Sequence, residues 1–276
     1  MILAIDSKIM LNNGIKIPIF GLGTWALDGR DAYKAALWAI DAGYRLIDTA
    51  TVYANEAEIG DAIKDCKVPR EDFFITTKLW NSDQGYDSTL AAFERSLKKL
   101  KVSYVDLYLI HWPVEGLRSE SWKALEKIYS DGKVRAIGVS NYTVQNIKEI
   151  LEESSTVPTV NQVEFSPFLY QKELLDFCTS QNIFIEAYCP LTRARKLNHP
   201  TLKLIGQKYN KSSAQVLIRW GLQHNIIEIP KAGSKDHIHE NINVFDFNLN
   251  DQDMEFLDNL NEDYRVVDRN KWINTK

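Results

Sequence analysis

Apolar residues along this chain alternate between two rhythms. Short apolar runs, of the length a buried strand takes, are each followed by a stretch in which apolar positions return at helical spacing. Ile17-Pro18-Ile19-Phe20-Gly21 precedes Tyr33, Ala36, Leu37 and Ile40 on one face, closed by Gly43. Arg45-Leu46-Ile47-Asp48 precedes Ile59 and Ile63, and Phe73-Phe74-Ile75-Thr76 precedes Leu90, Phe93, Leu97 and Leu100. Val105 to Ile110 leads to Trp122, Leu125, Ile128 and Tyr129, ended by Gly132; Ala136 to Val139 leads to Ile147, Ile150 and Leu151. Val160 to Phe165, Ile183 to Ala187 and Ile226 to Ile229 supply three more strands, with helices expected near 172–181, 201–209, 213–224 and 236–243. Eight strands interleaved with helices predict a closed α/β barrel, a (β/α)8 TIM barrel. Before them, Lys8 to Lys16 reads as a hairpin on the Asn13-Gly14 turn, placed to close the barrel floor. The open doubly wound alternative usually carries a Gly-rich turn after its first strand. Gly21-Leu22-Gly23-Thr24-Trp25 lacks the third glycine and the helix start.

Length agrees with one barrel: 276 residues stand near the ~250 typical of the fold, so residues 1–276 are expected to form a single domain. The formal net charge of −4 and the absence of a terminal Lys/Arg block argue against a nucleic-acid partner. No apolar run approaches the ~20 residues of a membrane span, and Met1 to Ile5 is too short for a signal core. A cytoplasmic location is expected. The three cysteines, Cys66, Cys178 and Cys189, form no CxxC pair and fit a reducing compartment as core thiols.

Barrel chemistry gathers at the C-terminal strand ends, and there the chain places a polar set. Asp48 and Tyr53 follow the second strand, Lys78 ends the third, His111 the fourth, and Ser140-Asn141 the fifth. Gln162 lies on the sixth, Tyr188 ends the seventh and Lys231 the eighth. Singly, Asp48 could cap a helix, Tyr53 could be a core aromatic and Lys78 a solvated strand end. Together in one bowl, the lysine and aspartate need each other, because an unpaired buried charge is costly. A tyrosine beside the lysine is expected to have its proton affinity lowered by the cation, which suits a general acid. A neutral His111 can hydrogen-bond a substrate oxygen.

Metal chemistry finds no support: of five histidines only His237 and His239 are close, and no HExxH occurs. A Schiff-base role for Lys78 would leave Ser140, Asn141, Gln162 and Tyr188 without duties. A carboxylate-pair hydrolase lacks a second strand-end acid for Asp48.

Gly43-Tyr44-Arg45-Leu46-Ile47-Asp48-Thr49-Ala50 with Tyr53 and Asn55-Glu56, then Val105 to Pro113, then Ile137 to Tyr142, resemble the aldo-keto reductases over almost the whole chain, in particular the small prokaryote-type members. The resemblance implies that Asp48, Tyr53, Lys78 and His111 form a catalytic tetrad, with Tyr53 giving the proton to a carbonyl oxygen. It implies that Ser140, Asn141 and Gln162 hold the nicotinamide carboxamide and that Tyr188 stacks on the ring. Gly23, Thr24, Trp25 and Asp48, and the segment Cys189-Pro190-Leu191, are the further cofactor contacts it implies. Lys231, Ala232, Gly233, Ser234 and His237, with Lys235, stand where the family grips the adenosine 2′-phosphate, and Glu240 and Asn241 where it takes the adenine.

The family usually has Ser or Thr at Ala232 and Arg at His237, and an Arg would grip a phosphate bidentately. NADPH is the expected cofactor, with NADH tolerated, and reduction of small aldehydes and ketones the expected activity. The alternative is a cofactor-binding regulatory barrel with little turnover. Trp25, Trp80 and Trp112, with Tyr53 and His111, are expected to wall the substrate pocket. The tail from Asn261 to Lys276 is short, so little of it is expected to close over the pocket, which suggests broad tolerance of small aldehydes, dicarbonyls and keto-sugars. A monomer is expected.

Overall fold

The computed structural model describes residues 3–275; Met1, Ile2 and Lys276, and with them part of the Met1 to Ile5 stretch, lie outside the described residues. Two short strands, β1 (Lys8–Met10) and β2 (Lys16–Pro18), pair antiparallel with Ile9 opposite Ile17. Gly14 in the turn between them takes φ +83°, which a side chain rarely adopts. The barrel follows: β3 (Gly21–Gly23), α1 (Gly29–Asp41), β4 (Leu46–Asp48), α2 (Glu56–Asp65), β5 (Phe74–Leu79), α3 (Tyr86–Leu100), β6 (Val105–Ile110), α4 (Arg118–Ser130), β7 (Val134–Ser140), α5 (Val144–Glu153), β8 (Val160–Glu164), α6 (Lys172–Ser180), β9 (Phe184–Tyr188), α7 (Pro200–Tyr209), α8 (Ser213–Gln223), β10 (Ile227–Glu228) and α9 (Lys235–Ile242). Two helices follow, α10 (Asp251–Asp258) and α11 (Arg269–Ile273).

Strands β3 to β10 are hydrogen-bonded in chain order, all parallel. The seam is closed by bridges from Phe20 to Glu228 and from Gly23 to Lys231. Gly23 is required there by space, since a Cβ would meet the carbonyl oxygen of Ile229 at 2.6 Å. The first barrel strand therefore lies at 21–23 and not at 17–21, because Ile17 is drawn into the hairpin. A short apolar run does not reveal which partner it will pair with.

Alternation along the strands separates two cores. Outward residues such as Ile47, Ile75, Tyr108, Ile137, Val163 and Ile185 pack under the helices. Inward residues Leu46, Phe74, Leu107, Leu109, Ala136, Val160, Ile227 and Ile229 fill the lower barrel, joined by Leu11 and Ile17 of the hairpin. The hairpin thus plugs the floor, and the next inward layer up is polar: Asp48, Lys78, Gln162 and Glu186, all buried. The helices around the barrel stop and start on local signals. α5 and α8 begin with capping boxes, Thr143 with Asn146 and Ser212 with Gln215, while α3 ends on Lys101 in a left-handed conformation.

The tail does close over the mouth, contrary to the expectation from its length. Val266 and Val267 pack with Trp80 and Trp112, and Trp272 of α11 lies against Trp80 with ring centroids 6.0 Å apart. Few residues suffice because the tail is pinned from the barrel: Asn81 Nδ2 donates to the carbonyl of Trp272 (2.8 Å), and Arg269 donates to the carbonyl of Asn141 (2.8 Å).

Candidate active site

Asp48 ends β4, and Lys78 stands one residue from the end of β5 on the same inward phase, so parallel pairing brings them together. Lys78 Nζ donates to Asp48 Oδ1 at 2.6 Å, to the Thr49 carbonyl at 2.9 Å and to the Tyr53 hydroxyl at 3.3 Å. Tyr53 is carried by a single turn, Thr51–Tyr53, tied down where Thr51 donates to the Lys78 carbonyl (3.0 Å). His111 follows β6 directly, its amide bonded to the Leu79 carbonyl at 3.1 Å. Its ring stands edge-on to Tyr53 (5.7 Å) and to Trp80 (5.3 Å). The four residues of the expected tetrad thus converge from three neighbouring strand ends.

Their protonation follows from burial. His111 is held well below the ordinary histidine range, first by desolvation and then by the Lys78 cation, so its ring is neutral at physiological pH. Tyr53 is held well above the ordinary tyrosine range, first by desolvation and then by the negative charge of Asp48. This corrects the expectation that Lys78 lowers the phenol's proton affinity: with both groups buried and Asp48 behind the lysine, desolvation wins. The resting phenol keeps its proton. Burial also pushes Asp48 up, opposed by Lys78 and by the hydrogen bond from Gln162.

Behind the tetrad, Gln162 Nε2 donates to both Asp48 Oδ2 (2.8 Å) and Glu186 Oε2 (2.6 Å). Glu186 was not among the sequence candidates, though an acid at the inward phase of Phe184-Ile185-Glu186-Ala187 was the signal available. Burial and the neighbouring Asp48 charge push its carboxyl up to about 8, so it is largely protonated at neutral pH. Asn141, in a left-handed conformation at φ +64°, donates to the His111 carbonyl (3.0 Å) and accepts from the Tyr188 hydroxyl (2.7 Å). Asparagine tolerates that backbone better than most residues.

These groups open into one cavity of about 610 Å³. Of the sequence candidates, Gly23, Trp25, Asp48, Tyr53, Trp80, His111, Trp112, Asn141, Gln162, Tyr188, Cys189, Pro190, Leu191, Lys231, His237, Glu240 and Asn241 line it. Thr24 and Ser140 are fully buried behind the wall, their hydroxyls donating to the carbonyls of Asp48 (2.8 Å) and Gln162 (2.8 Å). Lys78 likewise acts from behind Tyr53, with no exposed surface. Ala232, Gly233 and Ser234 flank the cavity without forming its wall; Ser234 caps α9 by accepting from the His237 amide. His237 is largely exposed, with Nδ1 3.3 Å from Glu240 Oε2. Sequence reasoning missed Arg193, whose guanidinium lies 4.2 Å over the Trp25 ring across the mouth, and Val267 and Trp272 from the tail. None of these three carries a strand-end signal. No group of His, Cys, Asp and Glu among the described residues is placed to hold a metal ion.

Comparison with known proteins agrees with this architecture. The model of the Aldo/keto reductase family matches residues 20–262. The chain is 49% identical to a glyoxal reductase of Bacillus subtilis over 264 residues, 95% of this chain and 96% of the relative. It is also 49% identical to a 9,11-endoperoxide prostaglandin H2 reductase of Trypanosoma cruzi, over 94% of this chain and 93% of the relative. Among solved structures, an aldo-keto reductase from a Medee basin deep-sea metagenome superposes with a TM-score of 0.92 at 43% identity, covering 94% of this chain and 97% of that one. An aldo-keto reductase of Bombyx mori, in complex with NADP, gives 0.91 at 36%, covering 97% of each chain. With a family model spanning most of its length and relatives near half identity end to end, the chain belongs to the aldo/keto reductase family.

Proposed function

We propose that this protein is an NADPH-dependent reductase of small aldehydes and ketones in which Tyr53 is the general acid. The observation that carries the reading is the Tyr53 hydroxyl bonded to a buried Lys78–Asp48 pair, with the His111 ring edge-on to the Tyr53 ring at 5.7 Å. A nicotinamide dinucleotide needs a stacking surface, carboxamide partners and an anion site in one space. The cavity offers the Tyr188 ring, the Asn141 and Gln162 side chains, and Lys231 beside the N-terminus of α9. The Gln162 amide spends both its donated bonds on Asp48 and Glu186, which leaves its oxygen for a ligand donor. The residues present therefore fit the group.

When bound there, the cofactor supplies hydride to the substrate carbon. The protein's part is orientation and the proton. The neutral His111 imidazole hydrogen-bonds the substrate oxygen and aims it at the Tyr53 hydroxyl. As negative charge develops on that oxygen, Tyr53 passes its proton to it, and the phenolate left behind is stabilised by the Lys78 ammonium, itself held by Asp48. The walls of Trp25, Trp80, Trp112 and Trp272 accept flat, uncharged carbonyl compounds. Lys231 and Lys235, which make no ion pair among the described residues, are the cations available to a 2′-phosphate. The reading includes a monomer working in the cytoplasm.

The test is the rate of NADPH oxidation, and separately of NADH oxidation, by the purified protein with an activated aromatic aldehyde and with methylglyoxal. Turnover with NADPH well above NADH supports the reading. Tight cofactor binding with no turnover on either substrate would move it to a regulatory barrel.

A further inference from the structure

Glu164 ends β8, two residues beyond Gln162 on the same inward phase, yet it does not line the cavity. It is 4% exposed, and no cation among the described residues reaches it as an ion pair. Its carboxylate instead grips backbone: Oε1 accepts from the Val266 amide at 2.6 Å and Oε2 from the Val267 amide at 3.1 Å. A buried carboxylate with no cation requires its hydrogen bonds, and two adjacent buried amides require an acceptor. Each side satisfies the other. Arg265 and Arg193 lie further off and ease the charge, while burial still pushes the carboxyl above the usual range.

The consequence lies on the other side of the gripped segment. Val266 and Val267 pack on Trp80 and Trp112, and Val267 and Trp272 form the cavity wall that faces the tetrad. We propose that Glu164 is a positioning residue that clasps the C-terminal segment onto the barrel rim and thereby sets which substrates the pocket prefers. The specificity half of this rests on the reductase reading above; the clasp itself does not. The other side-chain ties of the segment lie on either side of this pair: Arg265 donates to Gln171 Oε1 at 3.2 Å, Arg269 to the Asn141 carbonyl, and Asn81 reaches the Trp272 carbonyl. Among the described residues, Glu164 alone hydrogen-bonds the Val266 and Val267 amides, where the segment turns down against the tryptophans. Carbonyl compounds large enough to touch that wall gain from its position, whereas a dicarbonyl the size of methylglyoxal does not reach it.

The experiment compares wild type, Glu164→Gln and Glu164→Ala, each as the full chain. Limited trypsinolysis without any ligand, followed by intact mass, reads cleavage after Arg265 and Arg269. Cleavage is expected to be about tenfold faster in both variants, the scale of one lost hydrogen bond to a charged group. In the same variants the ratio of kcat/KM for a phenyl-ring aldehyde to that for methylglyoxal is expected to fall several-fold, through KM. Should Glu164→Ala fail to fold, Glu164→Gln decides, because it keeps the volume and turns one acceptor into a donor. Unchanged tail protection overturns the clasp whatever happens to selectivity. Faster cleavage with unchanged selectivity overturns the specificity role. A wild type that reduces no carbonyl refutes the reductase reading, and the proteolysis still tests the clasp.

Discussion

Tyr53 sits where three opposing influences meet: the Lys78 cation, the Asp48 charge behind it, and the loss of water around all of them. Its hydroxyl acts on the developing oxyanion more than on any bound ground state. Tyr53→Phe is therefore expected to lower carbonyl reduction by at least ~10²-fold while NADPH affinity, measured by fluorescence quenching, stays within about twofold. Cofactor binding lost in that variant would mark the phenol as structural. Glu186 makes the pH dependence. Its folded carboxyl titrates near 8 while the unfolded one titrates in the ordinary carboxylate range, so the native state holds an extra proton between the two. Stability contributed by that retained proton is lost as pH rises through this window. Glu186→Gln removes the titration, and its melting temperature relative to wild type is expected to be higher at pH 8 than at pH 5. Equal differences at both pH values would show that Glu186 is ionised throughout. At the cofactor end, His237→Arg is expected to tighten NADPH about tenfold over NADH, by supplying a forked donor where an exposed imidazole stands. An unchanged cofactor ratio would place the 2′-phosphate elsewhere.

Among the elements, the barrel seam between β3 and β10 is the most exacting. β10 spans only Ile227–Glu228, and the closing contacts reach beyond it, with the Gly23 amide bonded to the Pro230 carbonyl at 3.3 Å. A methyl group at Gly23 cannot fit without pushing β3 from Ile229. Gly23→Ala is expected to cost about 1–3 kcal/mol of stability as an overpacked contact, read by urea unfolding, and to raise the KM for NADPH through displacement of the adjoining Trp25 loop. A stability equal to wild type would mean that the seam yields. The four helices expected near 172–181, 201–209, 213–224 and 236–243 fall within about a residue of their observed bounds, and Gly132 marks the end of α4 without coordinates, because helical faces repeat and glycine stops a helix. α10 and α11, short and with few apolar positions, were not read from the chain. The strands were legible as existing but not always as placed. Ile17 looks like barrel and belongs to the hairpin, since a run of four or five apolar residues specifies burial and not a partner.

At the scale of the molecule, one cavity joins the tetrad to the Lys231 and α9 region, and the tail roofs it. A chain shortened to end at Asn261 is expected to stay folded, since the barrel core is complete before that point, and to lose preference for aromatic over small aldehydes. Loss of the cooperative melt in that truncation would show that the tail supports the barrel as well as the pocket. By itself, the sequence determined the alternation of strand and helix, the closed barrel with its hairpin floor, and the polar residues at successive strand ends, because period, caps and position at a strand terminus are properties of neighbouring residues. The family motifs, too, are contiguous and could be read directly. What only the tertiary structure decided depends on residues far apart in the chain. Burial reversed the expected direction for Tyr53, because desolvation depends on everything packed around the phenol and not on the lysine alone. Glu186 joined Asp48 through Gln162, and Glu164 met the Val266 and Val267 amides across a separation of about a hundred residues. The tail became a wall for the same reason: its length limits its reach, but whether it closes is settled by what the barrel rim offers it to bind.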